Sequence, residues 1–197
     1  MATLQQRMEA YLRERAIAFE YAERAGWRTV DAALADVMGF YPALPGIVIP
    51  YLHPITHEPH PKVMRIRYFD PPTINGKVRR YTQPRGSGVE AYFDPNVDWS
   101  SVLTDTRITV AITEGEAKAL YLNQDREFLG MATVALGGVW SFIEPRLRNQ
   151  ARELTPWLRA MRELGRGRTY IIAFDSDRNE KVGIQRAAET LGGLLSR

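Results

Sequence analysis

The chain has 197 residues, 45% of them hydrophobic, with a formal net charge of +3 and no cysteine. This length and apolar content predict one large domain or two small ones, and the missing cysteine excludes zinc ribbons, thiol chemistry and disulfide-stapled miniproteins. Since there is neither a signal peptide nor a stretch approaching the ~20 consecutive apolar residues of a membrane helix, we expect a soluble, cytoplasmic protein without a membrane partner.

Helical spacing dominates the first 45 residues. The apolar residues of the first predicted helix, over 3–15, are Leu4, Met8, Tyr11 and Leu12. A second short helix is predicted over 18–25 and ends at Gly26, and a third from Val30 to Met38. We therefore expect residues 1–45 to form a helical N-terminal segment.

A period of two replaces the helical spacing from residue 46 onward. The predicted strands, the second of which alternates apolar and basic residues, are Gly46–Leu52, Val63–Phe69, Lys77–Thr82 and Val89–Phe93. Asp94–Thr106 is polar and is predicted to be a linker. Residues 46–106 therefore read as a basic, antiparallel β-rich subdomain with its linker.

Strands alternate with helices from residue 107 to 197. The predicted strands are Ile108–Thr113, Ala132–Leu136 and Tyr170–Phe174. The predicted helices are one with Ala117, Leu120 and Tyr121 on one face, one over 144–164, and Ile184–Leu195. Short apolar strands between helices favour parallel βαβ units. We therefore predict an α/β fold with a parallel sheet and flanking helices.

Charge is unevenly distributed along the chain. Seven basic residues and one acid lie between Lys62 and Arg85, whereas six acids and one arginine lie between Gly86 and Glu116. A basic block followed by an acidic one can hold a polyanion and a metal ion side by side, although two solvated faces would give the same pattern.

Acidic residues follow two of the predicted parallel strands. Ile108–Thr113 runs into Glu114, and Tyr170–Phe174 runs into Asp175 and Asp177. Ligands of such sheets bind at the carboxyl ends of the strands, and residues two apart on an extended segment point the same way. The three carboxylates would therefore share one site if the strands are neighbours. Hard oxygen ligands suit Mg²⁺ or Mn²⁺, although acids at such positions also cap helices or turns.

The segments ITVAITEGEAKAL, VALGG and IIAFDSD, in this order, resemble the Toprim domain of bacterial-type primases, topoisomerases and some nucleases. EGEAKA together with FDSDRNEKVGIQRA is more similar still to Toprim regions of phage and plasmid replication proteins. The resemblance implies a Rossmannoid parallel sheet. It also implies that Glu114 is the acid–base or metal carboxylate and that Asp175 and Asp177 are metal ligands. Lys118, one helical turn after Glu114, would neutralise phosphate in the same pocket, or would simply be solvated.

The preceding segments VMRIRYF and VRRYTQPRGSGVEAYF resemble the basic subdomain that comes before Toprim in such primases. Arg65 and Arg67 are two apart on a predicted strand and so share a face. The residues that we expect to bind nucleic acid are Arg65, Arg67, Lys77, Arg79, Arg80, Tyr81 and Arg85. Tyr81 is the candidate for stacking on a base.

The three histidines lie within HPITHEPH, at His53, His57 and His60. Their spacing suits zinc, but interleaved prolines favour an exposed loop between two strands without chemistry. Trp140 and Trp157 lie in apolar patterns and are expected in the core.

The resemblance and the charge pattern predict the catalytic core of a primase-like protein of a mobile element or phage. Its reaction would be magnesium-dependent nucleotidyl transfer of the DNA primase type. The expected partners are a single-stranded DNA template, nucleoside triphosphates and a replicative helicase or helicase domain. Two alternatives stay open: a Toprim nuclease, in which water attacks the phosphodiester, and a non-catalytic DNA-binding module of a larger replication protein.

Overall fold

Residues 2–144, 152–175 and 182–197 are described by the structure, a computed structural model, and they fall into two units. The first unit comprises Met1–Tyr51 and Pro59–Gly88, and the second comprises Leu52–Glu58 and Val89–Arg197. The main boundary thus falls at residue 88, not at the expected residues 45 and 106. No helix within the described ranges is both long and apolar enough to cross a membrane.

Three helices in the first unit confirm the helical spacing of the sequence. They are α1 (Leu4–Arg13), α2 (Phe19–Arg24) and α3 (Ala32–Val37). Thr3 and Gln6 form a capping box at the start of α1, and the Asp31 carboxylate accepts the Leu34 backbone N–H at 2.8 Å. These caps satisfy N–H groups that a helix leaves free at its N-terminus, so α1 and α3 begin where the sequence supplies the cap.

A short strand, β1 (Arg28–Val30), lies between α2 and α3 and was not predicted. It pairs antiparallel with β2 (Gly46–Leu52), with Val30 opposite Gly46. The N-terminal residues therefore share a sheet with the β-rich segment and are not a separate helical segment. Three residues are too few to show a period of two, which explains why the sequence pattern did not reveal this strand.

The sheet of the first unit has the order β1-β2-β3-β6. β3 (Pro59–Tyr68) pairs antiparallel with β6 (Tyr81–Thr82). β4 (Thr73–Ile74) and β5 (Lys77–Val78) form a separate two-stranded hairpin. Asn75 and Gly76, both with positive φ, make its two-residue turn. The prediction of one strand over Lys77–Thr82 is therefore wrong, because the chain leaves the hairpin before joining the larger sheet.

Three strands of the second unit are parallel, as the alternating pattern predicted. The sheet has the order β10-β8-β9-β7, and β8 pairs in parallel with both β9 and β10. The strands are β7 (Tyr92–Phe93), β8 (Thr109–Glu114), β9 (Met131–Leu136) and β10 (Tyr170–Ala173). β7 pairs antiparallel with β9, so the assignment of Val89–Phe93 to the basic subdomain is wrong.

The helices of the second unit are α4 (Trp99–Thr104), α5 (Glu116–Gln124), α6 (Arg126–Leu129), α7 (Pro156–Leu164) and α8 (Val182–Leu195). α4 lies inside the expected linker 94–106, because Asp98 caps a helix that buries Trp99, Val102 and Leu103. The helix expected over 144–164 exists only from Pro156 onward among the described residues. Leu154 instead forms a bridge with Ile143, while 145–151 lie outside the described residues.

Candidate functional site

The carboxyl ends of β8 and β10 meet at one edge of the sheet. The two strands are parallel neighbours with Ala173 opposite Thr113, so Glu114 ends one strand at the level where the other strand stops. Asp175 follows two residues after the end of β10. Gly115, with φ of +95°, turns the chain from β8 into α5. The strands are therefore neighbours, which was the condition for Glu114 to join the aspartates; Asp177 lies outside the described residues.

Lys118 lies at this edge of the sheet, which we call the acidic edge because it carries Glu114 and Asp175. It lies in the first turn of α5, and its ammonium contacts the Asp175 carboxylate. The Lys118 side chain is 48% exposed and that of Asp175 is 33% exposed, so the pair borders solvent. Of the two sequence hypotheses, a lysine that faces the acidic pocket and a plain solvated lysine, this contact agrees with the first.

Glu116 is a further acid at this edge that the sequence analysis did not single out. It is fully buried at the first position of α5, where the helix dipole favours a negative charge. The sequence could have indicated this residue, because Glu116 is the second glutamate of the Glu-Gly-Glu segment that follows the predicted strand.

The chemistry of these side chains suits a hard cation. Glu114 and Asp175 offer carboxylate oxygens, and Mg²⁺ is typically held by one or two carboxylates together with substrate phosphates. The described ranges contain no group of three or more histidine, cysteine or acidic side chains placed to hold a metal. Glu114 and Asp175 are thus the two described carboxylates at this edge that the sequence analysis had named as ligands.

Arg65 and Arg67 lie two residues apart on β3, as expected, beside β6. The Arg65 guanidinium lies over the Tyr81 ring at 4.7 Å from its centroid. The Arg67 guanidinium lies over the Tyr11 ring of α1 at 4.5 Å. The structure therefore brings three of the expected nucleic-acid residues together, and it adds Tyr11, which the sequence analysis placed only in a helix.

The remaining basic candidates are spread more widely over the first unit. Lys77 lies on the separate β4–β5 hairpin, so it does not form a neighbouring row on the four-stranded sheet. Arg79 and Arg80 are exposed between that hairpin and β6. The Arg85 guanidinium lies over the Tyr41 ring at 4.6 Å. These four residues give the unit a broad positive surface outside the Arg65–Arg67 pair.

The histidines have local contacts. Nδ1 of His53 accepts the N–H groups of Ile55 and Thr56, and its ring meets Trp157 edge-on at 5.6 Å. His60 lies within β3, where burial lowers the pKa of its ring and Nδ1 accepts the Val63 N–H. His53 and His57 lie in the loop, as expected, but only His57 is exposed. The expectation is wrong for His60, because β3 begins at Pro59.

Two tryptophans that were expected in the core differ from each other. Trp157 is partly buried and packs against Phe93 of the core. Trp140 is 37% exposed, so its placement in the core is wrong. It stacks on Phe142, and the Arg152 guanidinium lies over its ring at 5.4 Å.

Glu90 is a buried acid that no sequence pattern marked. Its side chain accepts the Ala91 N–H at 2.9 Å and the Trp157 N–H in the first turn of α7 at 3.2 Å. Burial raises the pKa of Glu90 to about 7, although these N–H groups favour the carboxylate. Glu90 therefore titrates near neutrality while it links the segment before β7 to α7.

A cleft of about 780 Å³ opens at the amino end of β10, opposite the acidic edge. Its wall includes Arg162, Arg166, Arg168 and Arg197. Arg168 is 6% exposed, and its guanidinium donates to the backbone carbonyls of Val102, Leu103 and Ile108. The cleft is therefore built around a structural arginine and is separate from the acidic edge.

Comparison with known proteins gives one match. The family model described as "Domain of unknown function (DUF3854)" matches residues 98–197, from the cap of α4 through the end of α8. No curated protein and no solved structure matches the chain. The family match covers just over half of the 197 residues and contains the whole acidic edge. The chain therefore belongs to the DUF3854 family.

Proposed function

We propose that the protein is the catalytic core of a primase-like enzyme of a phage or mobile element. Its second unit would be a Toprim-like domain that joins nucleotides on single-stranded DNA in the presence of Mg²⁺ or Mn²⁺. The observation that supports this proposal is that Glu114 ends β8 and Asp175 follows the end of β10, its parallel neighbour in the sheet. This edge is where ligands of open parallel sheets bind.

Each residue at the edge has a role in the proposal. Glu114, Asp175 and Asp177 would hold the cation, which when bound stabilises negative charge on phosphoryl oxygens. The Lys118 ammonium, which contacts Asp175, would move toward a nucleotide phosphate when a cation takes its place. Glu114 could also hold a proton at a carboxylate oxygen beside the attacking group.

The first unit would bind the template strand. Its basic side chains, Arg65, Arg67, Lys77, Arg79, Arg80 and Arg85, would contact phosphates, which contribute affinity and not sequence choice. Nucleoside triphosphates would be the second substrate. A replicative helicase or helicase domain is the proposed protein partner, and the cytoplasm is the proposed location.

A direct assay tests the reaction. The protein is incubated with single-stranded DNA, labelled nucleoside triphosphates and Mn²⁺, and products are separated by length. We expect extension products, and we expect Glu114→Gln and Asp175→Asn each to reduce them by about 100-fold or more, as loss of a group that stabilises transition-state charge does. Asp125→Asn, which changes an exposed acid at the other end of α5, is the matched control.

The other outcomes point to other functions. Shortened DNA in place of extension, lost in the same two variants, would identify a nuclease that uses these acids. DNA binding without any product would identify a non-catalytic module. Either result would overturn the primase proposal, and equal loss of product in Asp125→Asn would show that the acidic edge is not the site.

A further inference from the structure

Two tyrosines of the first unit are joined through their hydroxyl groups. Tyr11 of α1 and Tyr81 of β6 have their hydroxyl oxygens 3.2 Å apart. Tyr11 is only 5% exposed, and Tyr81 is half-buried. The pair therefore forms a rigid junction between α1 and the edge of the four-stranded sheet.

Three guanidinium groups lie over these two rings. Those of Arg15 and Arg67 lie over the Tyr11 ring, at 3.8 and 4.5 Å from its centroid. That of Arg65 lies over the Tyr81 ring at 4.7 Å. Contact between a cation and a ring face is attractive and fixes the plane of a guanidinium that would otherwise rotate freely.

Further contacts hold two of these groups in place. The Arg15 guanidinium donates to the Tyr11 backbone carbonyl at 3.0 Å, and that of Arg67 donates to the Tyr68 carbonyl. The Arg15 side chain also contacts Glu14 at 3.3 Å, but Glu14 is 73% exposed, so this ion pair is weak. Three positive charges are thus collected at fixed places around the two rings, and such a collection attracts an anion.

We propose that Tyr11, Arg15, Arg65, Arg67 and Tyr81, together the tyrosine–arginine cluster, bind successive phosphates of single-stranded nucleic acid. The rings hold the guanidiniums and do not stack on bases. Two observations carry this: Tyr11 is almost fully buried, and guanidiniums already cover both tyrosines. The planar fork of arginine matches phosphate oxygens in pairs. The inference rests on the proposed nucleic-acid binding of the first unit, and it adds α1 to that surface.

The first experiment separates phosphates from bases. Fluorescence anisotropy measures binding of the full chain to a labelled single strand and to an abasic strand of the same length, over a range of salt. We expect both strands to bind within about threefold of each other, with equal salt slopes, because the same phosphates are neutralised. Binding to the abasic strand weakened more than tenfold would show base stacking and overturn the inference.

The second experiment tests the part played by α1. We expect Arg15→Ala to weaken binding about fivefold and to flatten the slope of log affinity against log salt by about 0.7, the value for one phosphate contact on a single strand. The matched control is Arg24→Ala on α2, since the Arg24 guanidinium also lies over a tyrosine ring, that of Tyr21 at 5.5 Å, but outside the cluster. Arg24→Ala should change neither quantity.

A third pair of variants tests the role of the ring. Tyr81→Ala should weaken binding more than Tyr81→Phe does, because phenylalanine keeps the ring face on which Arg65 rests. Thermal melting followed by circular dichroism selects the variants that are folded. Equal losses in the two variants would contradict the proposed role of the ring.

The outcomes also separate this inference from the proposed function. If the parent binds neither strand, nucleic-acid binding by the first unit fails and the inference fails with it. If Arg65→Ala and Arg67→Ala weaken binding but Arg15→Ala does not, the inference is overturned while the proposed function stands. Equal effects of Arg15→Ala and Arg24→Ala would also overturn the inference, because they would show that binding depends on the total positive charge of the unit and not on the cluster.

Discussion

The Lys118 ammonium contacts the Asp175 carboxylate, so the first turn of α5 is tied to the chain that leaves β10. Both side chains are partly exposed, and ion pairs of this kind contribute only about 0–1 kcal/mol to stability. So small a free energy does not oppose a divalent cation strongly. In the proposed metal site, Lys118 would therefore be a replaceable counter-ion for Asp175.

Removing the charge of Lys118 should strengthen metal binding. In Lys118→Met the Asp175 carboxylate no longer has to release an ammonium, so we expect Mn²⁺ affinity, measured by calorimetry, to rise about threefold, which corresponds to less than 1 kcal/mol. Arg126→Met, at the first residue of α6, is the control and should bind Mn²⁺ like the parent. Weaker Mn²⁺ binding in Lys118→Met would contradict the counter-ion role.

Glu90 should make the protein less stable as pH rises toward neutrality. Burial raises the pKa of Glu90 from 4.5 to about 7 in the folded state, so the folded state holds a proton that the unfolded chain releases. As the pH rises from 4.5 to about 7, the free energy of unfolding should therefore fall by about 3 kcal/mol. Glu90→Gln, which cannot ionise, should lack this fall.

Urea unfolding at pH 4.5, 5.5, 6.5 and 7.5, values chosen to bracket the two pKa values, measures the effect. Glu144, whose charge also raises the pKa of Glu90, is to be changed to glutamine as a second variant, and it should reduce the fall without abolishing it. If the free energy of unfolding changed with pH in the same way in the parent and in Glu90→Gln, Glu90 would not be the cause of the pH dependence.

Arg168 should be essential to the stability of the second unit. Its guanidinium donates to the carbonyls of Val102 and Leu103 in the last turn of α4 and to that of Ile108 before β8. A cation at a helix C-terminus also interacts favourably with the helix dipole. Arg168→Ala leaves these carbonyls without their donor, and we expect it to lower the free energy of unfolding by about 3 kcal/mol.

Arg168→Lys should recover little of that loss. A single ammonium cannot donate to the carbonyls of α4 and to that of Ile108 at once, as the planar guanidinium does. Arg166→Ala, an exposed neighbour in the same turn, should unfold like the parent in urea. A loss of similar size in both alanine variants would mean that the carbonyl contacts of Arg168 are not the cause.

Asn123 supports the middle of β9 from α5. Its amide donates to the Thr133 carbonyl at 2.9 Å and accepts the Thr133 N–H at 2.7 Å, and both residues are buried. Asn123→Ala leaves a buried donor and a buried acceptor unpaired, so we expect a loss of about 2–3 kcal/mol in the free energy of unfolding. Glu127→Ala, at an exposed position of α6, is the control in the same urea titration, and comparable losses would contradict this account.

Long periodic segments could be predicted from the sequence. β2 was predicted at its observed bounds, and the parallel strands β8, β9 and β10 were placed to within one residue at each end, because each is a run of apolar residues bounded by turns. The two-residue strands β6 and β7 could not be assigned correctly. Such strands carry no period of their own, and their place in a sheet is decided by the distant strand with which they pair.

Some residues of the candidate site could likewise be predicted from the sequence, and others could not. Glu114 and Asp175 could be predicted because the end of a strand is visible in the sequence. The contact of Arg67 with Tyr11 could not, because it joins a helix near the start of the chain to a strand more than fifty positions later. Glu90 was missed because burial, which sets its pKa, depends on the packing of α7 against the segment before β7.

The position of β7 has a consequence for where this fold can be cut. The family match begins at residue 98, but Tyr92 and Phe93 pair with β9, and Ala91, Phe93 and Val97 belong to the apolar core. A fragment trimmed to the family boundary would expose one edge of β9, whose open backbone groups invite another chain to pair, and it would open a gap beside Trp99. Such a fragment would aggregate, whereas one that starts at Val89 keeps this edge covered.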